Sequence, residues 1–410
     1  MQTASVENAA APVTERTRPL RVELAIDQAD RHLAASMRAA LAGRPCPSWP
    51  SGWSRGEIVE VFAERARFHG VAVFLGQTFA AFPGWPTSVV DRLREEMRLA
   101  ALWEELHRAH IVAMIDRLAA AGIETMVMKG TALAYLHYPD PAMRRRGDTD
   151  LLIRPQDLAR TRELLEHSGF RRREDPHGLY FQETWLIDCG AQIVHSIDLH
   201  WAPADRPVLQ KILRAEQFWA SRQPIPRLSP NTAAPDPLLL LLHGAVNQAW
   251  HVARGFSVDE DMVLGGRRLI WSLDYARLTQ DFSSGQWDTI IAFCKAHDAA
   301  AILAMALRGV HEDLGLPLPE QVMDRLLQSA AASPAYDYIT KPGRISDFKA
   351  DFSAAGSTAV RLRMLESAAF APRRHLLGKY PHLSHWPTFL LQLRRYAEGL
   401  ARWGEQVRGR

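Results

Sequence analysis

Two aspartates, Asp148 and Asp150, stand two residues apart in the short β-like run DTDLLI. On a strand, residues i and i+2 project from one face, so both carboxylates point the same way. Each raises the cost of ionising the other. A divalent cation relieves that repulsion, and Mg²⁺ favours carboxylate and phosphate oxygens. The same pair also reads as a polar strand end with two solvated carboxylates. Upstream, the apolar run IETMVMK ends at Lys129 and meets Gly130 and Thr131, where a helix begins. Such a turn aims backbone N–H groups and a positive helix end at an anion, with the Thr hydroxyl as a further donor. By itself a Gly-Thr pair is more often an ordinary turn. Downstream, Asp198 lies in the β-like run QIVHSIDLHW, where a charge is uncommon unless it is paired or metal-bound. A third carboxylate beside an i,i+2 pair is what two-metal phosphoryl transfer needs.

Other residues carry two readings each. Arg144, Arg145 and Arg146 can grip triphosphate oxygens or form a solvated basic loop. Lys129 can reach the same phosphates or end a strand in solvent. His200 shares the strand face of Asp198 and His195 does not. His200 can orient an acceptor, bridge to a metal, hold Asp198, or pack as a structural His-Trp pair with Trp201. His243, Asn247 and Trp250 share one helical face, with His251 next to it, and either line an acceptor or base pocket or pack between regions. Trp271 and Asp274 form an i,i+3 pair on the next helix, where Asp274 binds a ribose or caps a buried network.

The elements that must position these groups follow from periodicity. Residues 1–20 are Ala-, Thr- and Pro-rich and read as a disordered tail. Residues 21–121 read as helical. The clearest helix starts near Asp91, with Leu93, Met97, Ala100, Ala101, Glu104, His107, Ile111, Met114, Ile115 and Leu118 on one side, and Gly122 ends it. Residues 122–201 mix strands with short helices at 131–137 and 155–167 and form a compact catalytic core, its last strands at 179–183 and 192–201. Residues 202–410 return to helices, with a breaker-rich loop expected at 339–356. The expected fold class is α+β: a small mixed-sheet core flanked by mostly helical regions.

Bulk properties set outer bounds. The chain has 410 residues, 47% of them hydrophobic and 23% charged, so disorder of the whole chain is excluded. No apolar run approaches the ~20 residues of a membrane span, and no secretory signal pattern opens the chain. The 3 cysteines are too few and too scattered for a disulfide framework, and the expected compartment is the cytoplasm. A net charge of +3 gives no general argument for nucleic acid. Residues 361–410 are nevertheless basic, with ten Lys and Arg against three Glu. There Trp386, Phe389, Leu390, Leu393, Tyr396, Ala397, Leu400 and Trp403 form a stripe expected to pack as core, with peptide, RNA or anionic-membrane binding as the other reading.

The segment MVMKGTALAYLHYPDPAMRRRGDTDLLI, followed by FRRR and VHSIDLHW, resembles a bacterial family of uncharacterised nucleotidyltransferases of the DNA polymerase β-type superfamily. The shared features are a Lys-Gly segment, a Tyr-Pro-Asp-Pro-like segment, Arg before Asp-x-Asp, and a later Asp/Glu-x-His-Trp. The likeness spans residues 126–201 and extends through 238–251 and RRLIWSLDYARL at 267–278. Thr131 stands where the superfamily usually has Ser, and Asn247 where the family often has a second His. The resemblance implies a polymerase-β-like core in which Asp148, Asp150 and Asp198 are catalytic and bind two Mg²⁺ ions. It implies that Lys129, Gly130, Thr131 and Arg144 bind the nucleotide, and that Asp198 helps deprotonate the acceptor. His200, His243, Asn247, Trp271 and Asp274 would line the acceptor pocket.

The expected function is transfer of a nucleoside monophosphate from an NTP such as ATP to a hydroxyl or phosphate. The acceptor is a small molecule or a peptide or protein, as in modification of a peptide natural product. Alternatives are a nucleotide-sugar-dependent transferase, a non-catalytic nucleotide- or peptide-binding module, and an enzyme acting on RNA, for which no recognised RNA module is visible.

Overall fold

The computed structural model describes residues 20–53, 56–173, 180–190, 193–258, 261–263, 266–317, 320–330 and 333–408. The tail expected at 1–20 lies outside them except for Leu20. Two compact units are present. The larger takes the described residues of 19–173 and 181–354, and the smaller those of 174–180 and 355–410.

The larger unit opens with helices α1 (Leu20–Leu41), α2 (Gly56–Phe68), α3 (Ala72–Thr78) and α4 (Thr87–Ala120). Helix α4 buries Leu93, Glu104, His107, Ile111, Met114, Ile115 and Leu118 along one side, most of the stripe expected from the sequence; Met97 and Ala100 are half-buried and Ala101 is exposed. It starts at Thr87, a turn before Asp91, directly after Pro86, whose extended backbone caps the helix. Gly122, at φ +77°, takes the left-handed backbone that ends it. Then follow β1 (Met126–Val127), α5 (Lys129–His137), β2 (Asp148–Leu152), α6 (Leu158–His167), β3 (Arg171–Arg172), β4 (Gln182–Asp188) and β5 (Val194–His200). The strand expected at 179–183 thus begins later, at Gln182, and Leu179 lies outside the described residues.

Beyond β5 come α7 (Ala215–Ala220), β6 (Gln223–Ile225), β7 (Ser229–Ala234), α8 (Pro237–Arg254), the hairpin β8 (Phe256–Val258) and β9 (Asp261–Val263), and α9 (Leu269–Thr279). Helices α10 (Ser284–Ala296), α11 (Ala300–Leu314), α12 (Glu320–Gln328), α13 (Pro334–Thr340) and α14 (Arg344–Ala354) complete the unit. The main sheet has seven strands in the order β3-β4-β5-β2-β1-β7-β6. It is mixed: β2 runs parallel to β5 and β1 parallel to β7, while the other pairs are antiparallel. The fold is therefore α+β, a mixed sheet flanked by helical regions.

Two expectations need correction. The sheet does not stop at residue 201, because β6 and β7 extend it beyond β1. Their sequences, QPI and SPNTAA, carry prolines and little alternation, which suits a sheet edge and hides them from pattern reading. Residues 339–356 are largely helical rather than a loop. Tertiary bonds hold α14: Asp351 accepts from the Tyr338 hydroxyl at 2.8 Å and Asp347 from Arg254 at 2.6 Å.

The smaller unit contains α15 (Thr358–Ala369), α16 (Arg373–Lys379) and α17 (Thr388–Arg408). Its core is Ala371, Leu376, Tyr380, Leu383 and Leu391. The stripe expected to pack as core does so only in part. Phe389, Leu393 and Tyr396 of α17 are exposed, since a unit this small has too little apolar material to cover a whole helix. The side chains of Leu400 and Trp403 lie outside the described residues.

Candidate functional site

The parallel pairing of β2 and β5 sets Asp148 opposite Ser196, Asp150 opposite Asp198 and Leu152 opposite His200. Side chains alternate along strands, so this register brings Asp148, Asp150, Asp198 and His200 onto one face. Strand β4 adds Thr184, paired with Asp198, and its hydroxyl donates to Asp198 Oδ1 at 2.8 Å. On the other side of β2, the Met128 N–H donates to the Asp150 carbonyl at 2.9 Å. That bond delivers Lys129 to the head of α5, beside the carboxylates.

Lys129 Nζ donates to Asp150 Oδ1 at 2.6 Å, and His200 Nε2 lies 2.9 Å from the same oxygen. Among the described residues no donor hydrogen-bonds the Asp148 carboxylate. The two aspartates titrate in opposite directions. Burial, then the charges of Asp150 and Asp198, pushes Asp148 well above the usual carboxylate range. Burial opposes charge on Asp150 too, but Lys129 and His200 hold its carboxyl below that range. Asp150, Asp198 and His200 offer ligand atoms within 4.8 Å of one another. His200 Nδ1 is buried with no hydrogen-bond partner. Carboxylate oxygens with mutual repulsion and one imidazole form a donor set that fits a divalent cation.

The three consecutive arginines go three ways. Arg144 meets the buried Asp274 of α9 as a fork, Nε to Oδ1 at 2.8 Å and Nη2 to Oδ2 at 2.8 Å, and the Tyr138 hydroxyl donates to Asp274 at 2.7 Å. Arg144 thus faces the network that Asp274 caps. Its guanidinium also borders Gly130, where a β-carbon would stand 3.4 Å from Nη1. Arg145 pairs with Glu96 at 2.8 Å. Arg146 is buried: Nη2 donates to Glu104 and, at 3.2 Å, to His107 Nδ1, while Nε donates to the Thr131 hydroxyl at 3.1 Å. Thr131 is itself buried at the start of α5, so its hydroxyl belongs to this network.

The opposite face of the sheet is closed. Since His107 Nδ1 accepts from Arg146, its Nε2 carries the proton and donates to the Thr149 hydroxyl at 2.5 Å. Burial, with Arg146 adding to it, pushes His107 down to about 4 and keeps it neutral. Burial opposes charge on Glu104, but the Arg146 guanidinium and the Tyr135 hydroxyl, which both donate to it, hold its carboxyl below the usual carboxylate range. Farther along, Glu183 of β4 is gripped by Arg162 of α6, Nη2 to Oε2 at 2.7 Å. Sequence reading placed Glu104 and His107 only on a helix stripe and did not single out Thr184. A stripe otherwise built of apolar residues and interrupted by Glu and His is the signal that pointed to the first two; Thr184 has none.

Helix α8 presents His243, Asn247 and His251 at i, i+4 and i+8. Burial pushes His243 down to about 3 and His251 down to about 4, and the Lys129 charge adds to both. Both imidazoles therefore lie within electrostatic reach of the carboxylate face. The Trp271 ring runs parallel to that of His251, centroids 6.3 Å apart. Of the expected acceptor residues, His200 touches Asp150, His243 lies within its electrostatic reach and Asn247 follows one turn along, while Asp274 is enclosed with Arg144 and Tyr138.

Residues 58–315 match the family described as uncharacterised nucleotidyltransferase, well over half of the chain. The chain belongs to this family. Asp148, Asp150, Asp198, Lys129, the arginine run and both helices α8 and α9 fall inside the matched span. A solved structure of an antigenic nucleotidyltransferase-like protein from Paracoccidioides brasiliensis is similar at 15% identity and a TM-score of 0.32, over 55% of this chain and 93% of that one. A likeness that low carries no argument here. No curated protein matches the chain. Among the described residues, no helix is long and apolar enough to cross a membrane.

Proposed function

We propose that the chain is a divalent-metal-dependent nucleotidyltransferase of the polymerase-β type. It moves a nucleoside monophosphate from an NTP to a hydroxyl or phosphate of a small molecule or peptide. The carrying observation is the β2–β5 register, which sets Asp148, Asp150 and Asp198 side by side on one face. The resemblance adds Mg²⁺ as the cation, with two ions expected. Asp148, Asp150 and Asp198 would hold it, and when bound it would neutralise triphosphate charge and favour the acceptor's ionised form.

The chain's own groups supply the rest. The backbone N–H groups at Gly130 and Thr131 head α5 and face an anion with the helix's positive end. Thr131's hydroxyl, tied to Arg146, fixes that turn rather than contacting substrate. Asp198, kept in place by Thr184, is the base that takes the acceptor's proton. The acceptor oxygen attacks the α-phosphorus, the bond to the β,γ-diphosphate breaks, and pyrophosphate leaves with the electron pair. His243, Asn247 and Trp271 border the space for base or acceptor, and Arg144 with Asp274 braces it. Cytoplasmic location and action on a peptide belong to the same proposal.

The test uses the pure protein with Mg²⁺ or Mn²⁺ and each of the four α-³²P-labelled NTPs, beside Asp148→Ala. Metal-dependent pyrophosphate release or self-labelling with one NTP, absent in the variant, supports the reading. Equal signal from a folded Asp148→Ala protein contradicts it.

A further inference from the structure

Lys129 is the residue whose position the transferase reading does not use fully. It has φ +48°, a left-handed backbone that a lysine adopts only at a cost and that Gly adopts freely. Gly130 follows immediately, so the chain had a residue suited to that conformation one position away. Strained non-glycine residues persist where the surroundings fix them, commonly at functional sites. Here the strain sets an ammonium against the central carboxylate. Nζ lies 2.6 Å from Asp150 Oδ1, and the Lys129 side chain is 24% exposed, so the charge sits mostly out of water. Asp148 and Asp198 act on it as well.

The same oxygen is also reached by His200, which closes that side of Asp150. Asp198 Oδ1 is taken by Thr184. What remains for a metal among the carboxylate oxygens is the Asp148 pair and the second oxygens of Asp150 and Asp198. A second divalent ion on Asp150 Oδ1 would press against the ammonium or displace it from its carboxylate partner.

We propose that the Lys129 ammonium occupies one of the two cation positions of this site, so that the protein binds a single divalent ion with its nucleotide. The inference rests on the transferase reading and refines its cation count. Lys129 acts as a built-in cation that offsets one unit of the carboxylates' charge whether or not metal is present.

The probe is Mn²⁺ with the α,β-methylene analogues of ATP, GTP, CTP and UTP, which resist transfer. Equilibrium dialysis counts nucleotide, and the electron paramagnetic resonance signal of free Mn²⁺ gives the bound metal. The wild-type chain should hold one Mn²⁺ per bound analogue, and Lys129→Gly, which suits the left-handed backbone, should hold two. Two ions on the wild type overturns the inference and leaves the transferase reading standing. So does a count of one on a Lys129→Gly protein whose circular dichroism matches the wild type. Analogue bound with no Mn²⁺ at all removes the metal-dependent reading itself. Should Lys129→Gly fail to fold, the wild-type count alone decides.

Discussion

On one face of β2, Thr149 takes a hydrogen bond from His107, while Arg146, Glu104 and Tyr135 close a buried network behind it. On the other face, Asp148 has no hydrogen-bond donor among the described residues, and three carboxylates share one lysine ammonium. Adjacent residues of a single strand thus sit in opposite electrostatic settings. Behind the sheet, each buried charge has its counter-charge, which is the condition for burial without a large penalty. In front, like charges gather, and their self-repulsion is kept because a ligand is to relieve it. The difference separates residues that hold the site from residues that act in it, although both kinds are buried and charged.

Breaking the front face should have the largest effect. Asp150→Ala or Asp198→Ala should lower the rate of pyrophosphate release by at least about 10²–10³-fold, the scale of losing one preorganised electrostatic group. Thermal unfolding should show both variants folded.

The bracing networks should respond through stability instead. Asp274→Ala leaves the nearly buried Arg144 without its carboxylate and should cost about 3–5 kcal/mol in urea unfolding. A loss of turnover without that loss of stability would move Asp274 to the acting side of the comparison.

Acid sharpens the same contrast. The folded state holds His107 down to about 4, below its ordinary value of 6.5, so the unfolded chain binds more protons between those limits. Its contribution to stability is therefore full above pH 6.5, falls as pH drops toward 4, and is then constant. His107 alone should account for on the order of 3 kcal/mol of that fall. Urea titrations at stepped pH on wild type and His107→Gln measure it, and parallel curves would contradict it. The smallest effect belongs to the surface. Glu163→Ala removes an exposed pair with Arg160 and should change stability by less than about 0.5 kcal/mol.

The sequence made the carboxylate trio legible because strand alternation is local. Asp148 and Asp150 share a face by spacing alone, and Asp198 declares itself as a charge between Ile197 and Leu199. The long helix over α4 and its end at Gly122 were legible for the same reason, as apolar residues recur at helical spacing and glycine stops them. Partner choice was not legible. Arg144, Arg145 and Arg146 are identical neighbours, yet they meet Asp274, Glu96 and Glu104, residues brought near only by the fold. The β6–β7 hairpin was hidden by its prolines and short strands, and α14 by a polar sequence that tertiary hydrogen bonds hold helical. The strain at Lys129 has no sequence signature, since lysine is ordinary both at a strand end and in a first helical turn.

Thermal unfolding of wild type and Asp148→Asn, each with and without Mn²⁺, tests most directly whether the front face is a cation site. Without metal, Asp148→Asn should unfold at the higher temperature, because the substitution removes repulsion from a buried carboxylate cluster. Mn²⁺ should then raise the wild-type midpoint and leave the variant nearly unchanged. A variant that unfolds at a lower temperature, together with a wild-type midpoint indifferent to Mn²⁺, would contradict the account.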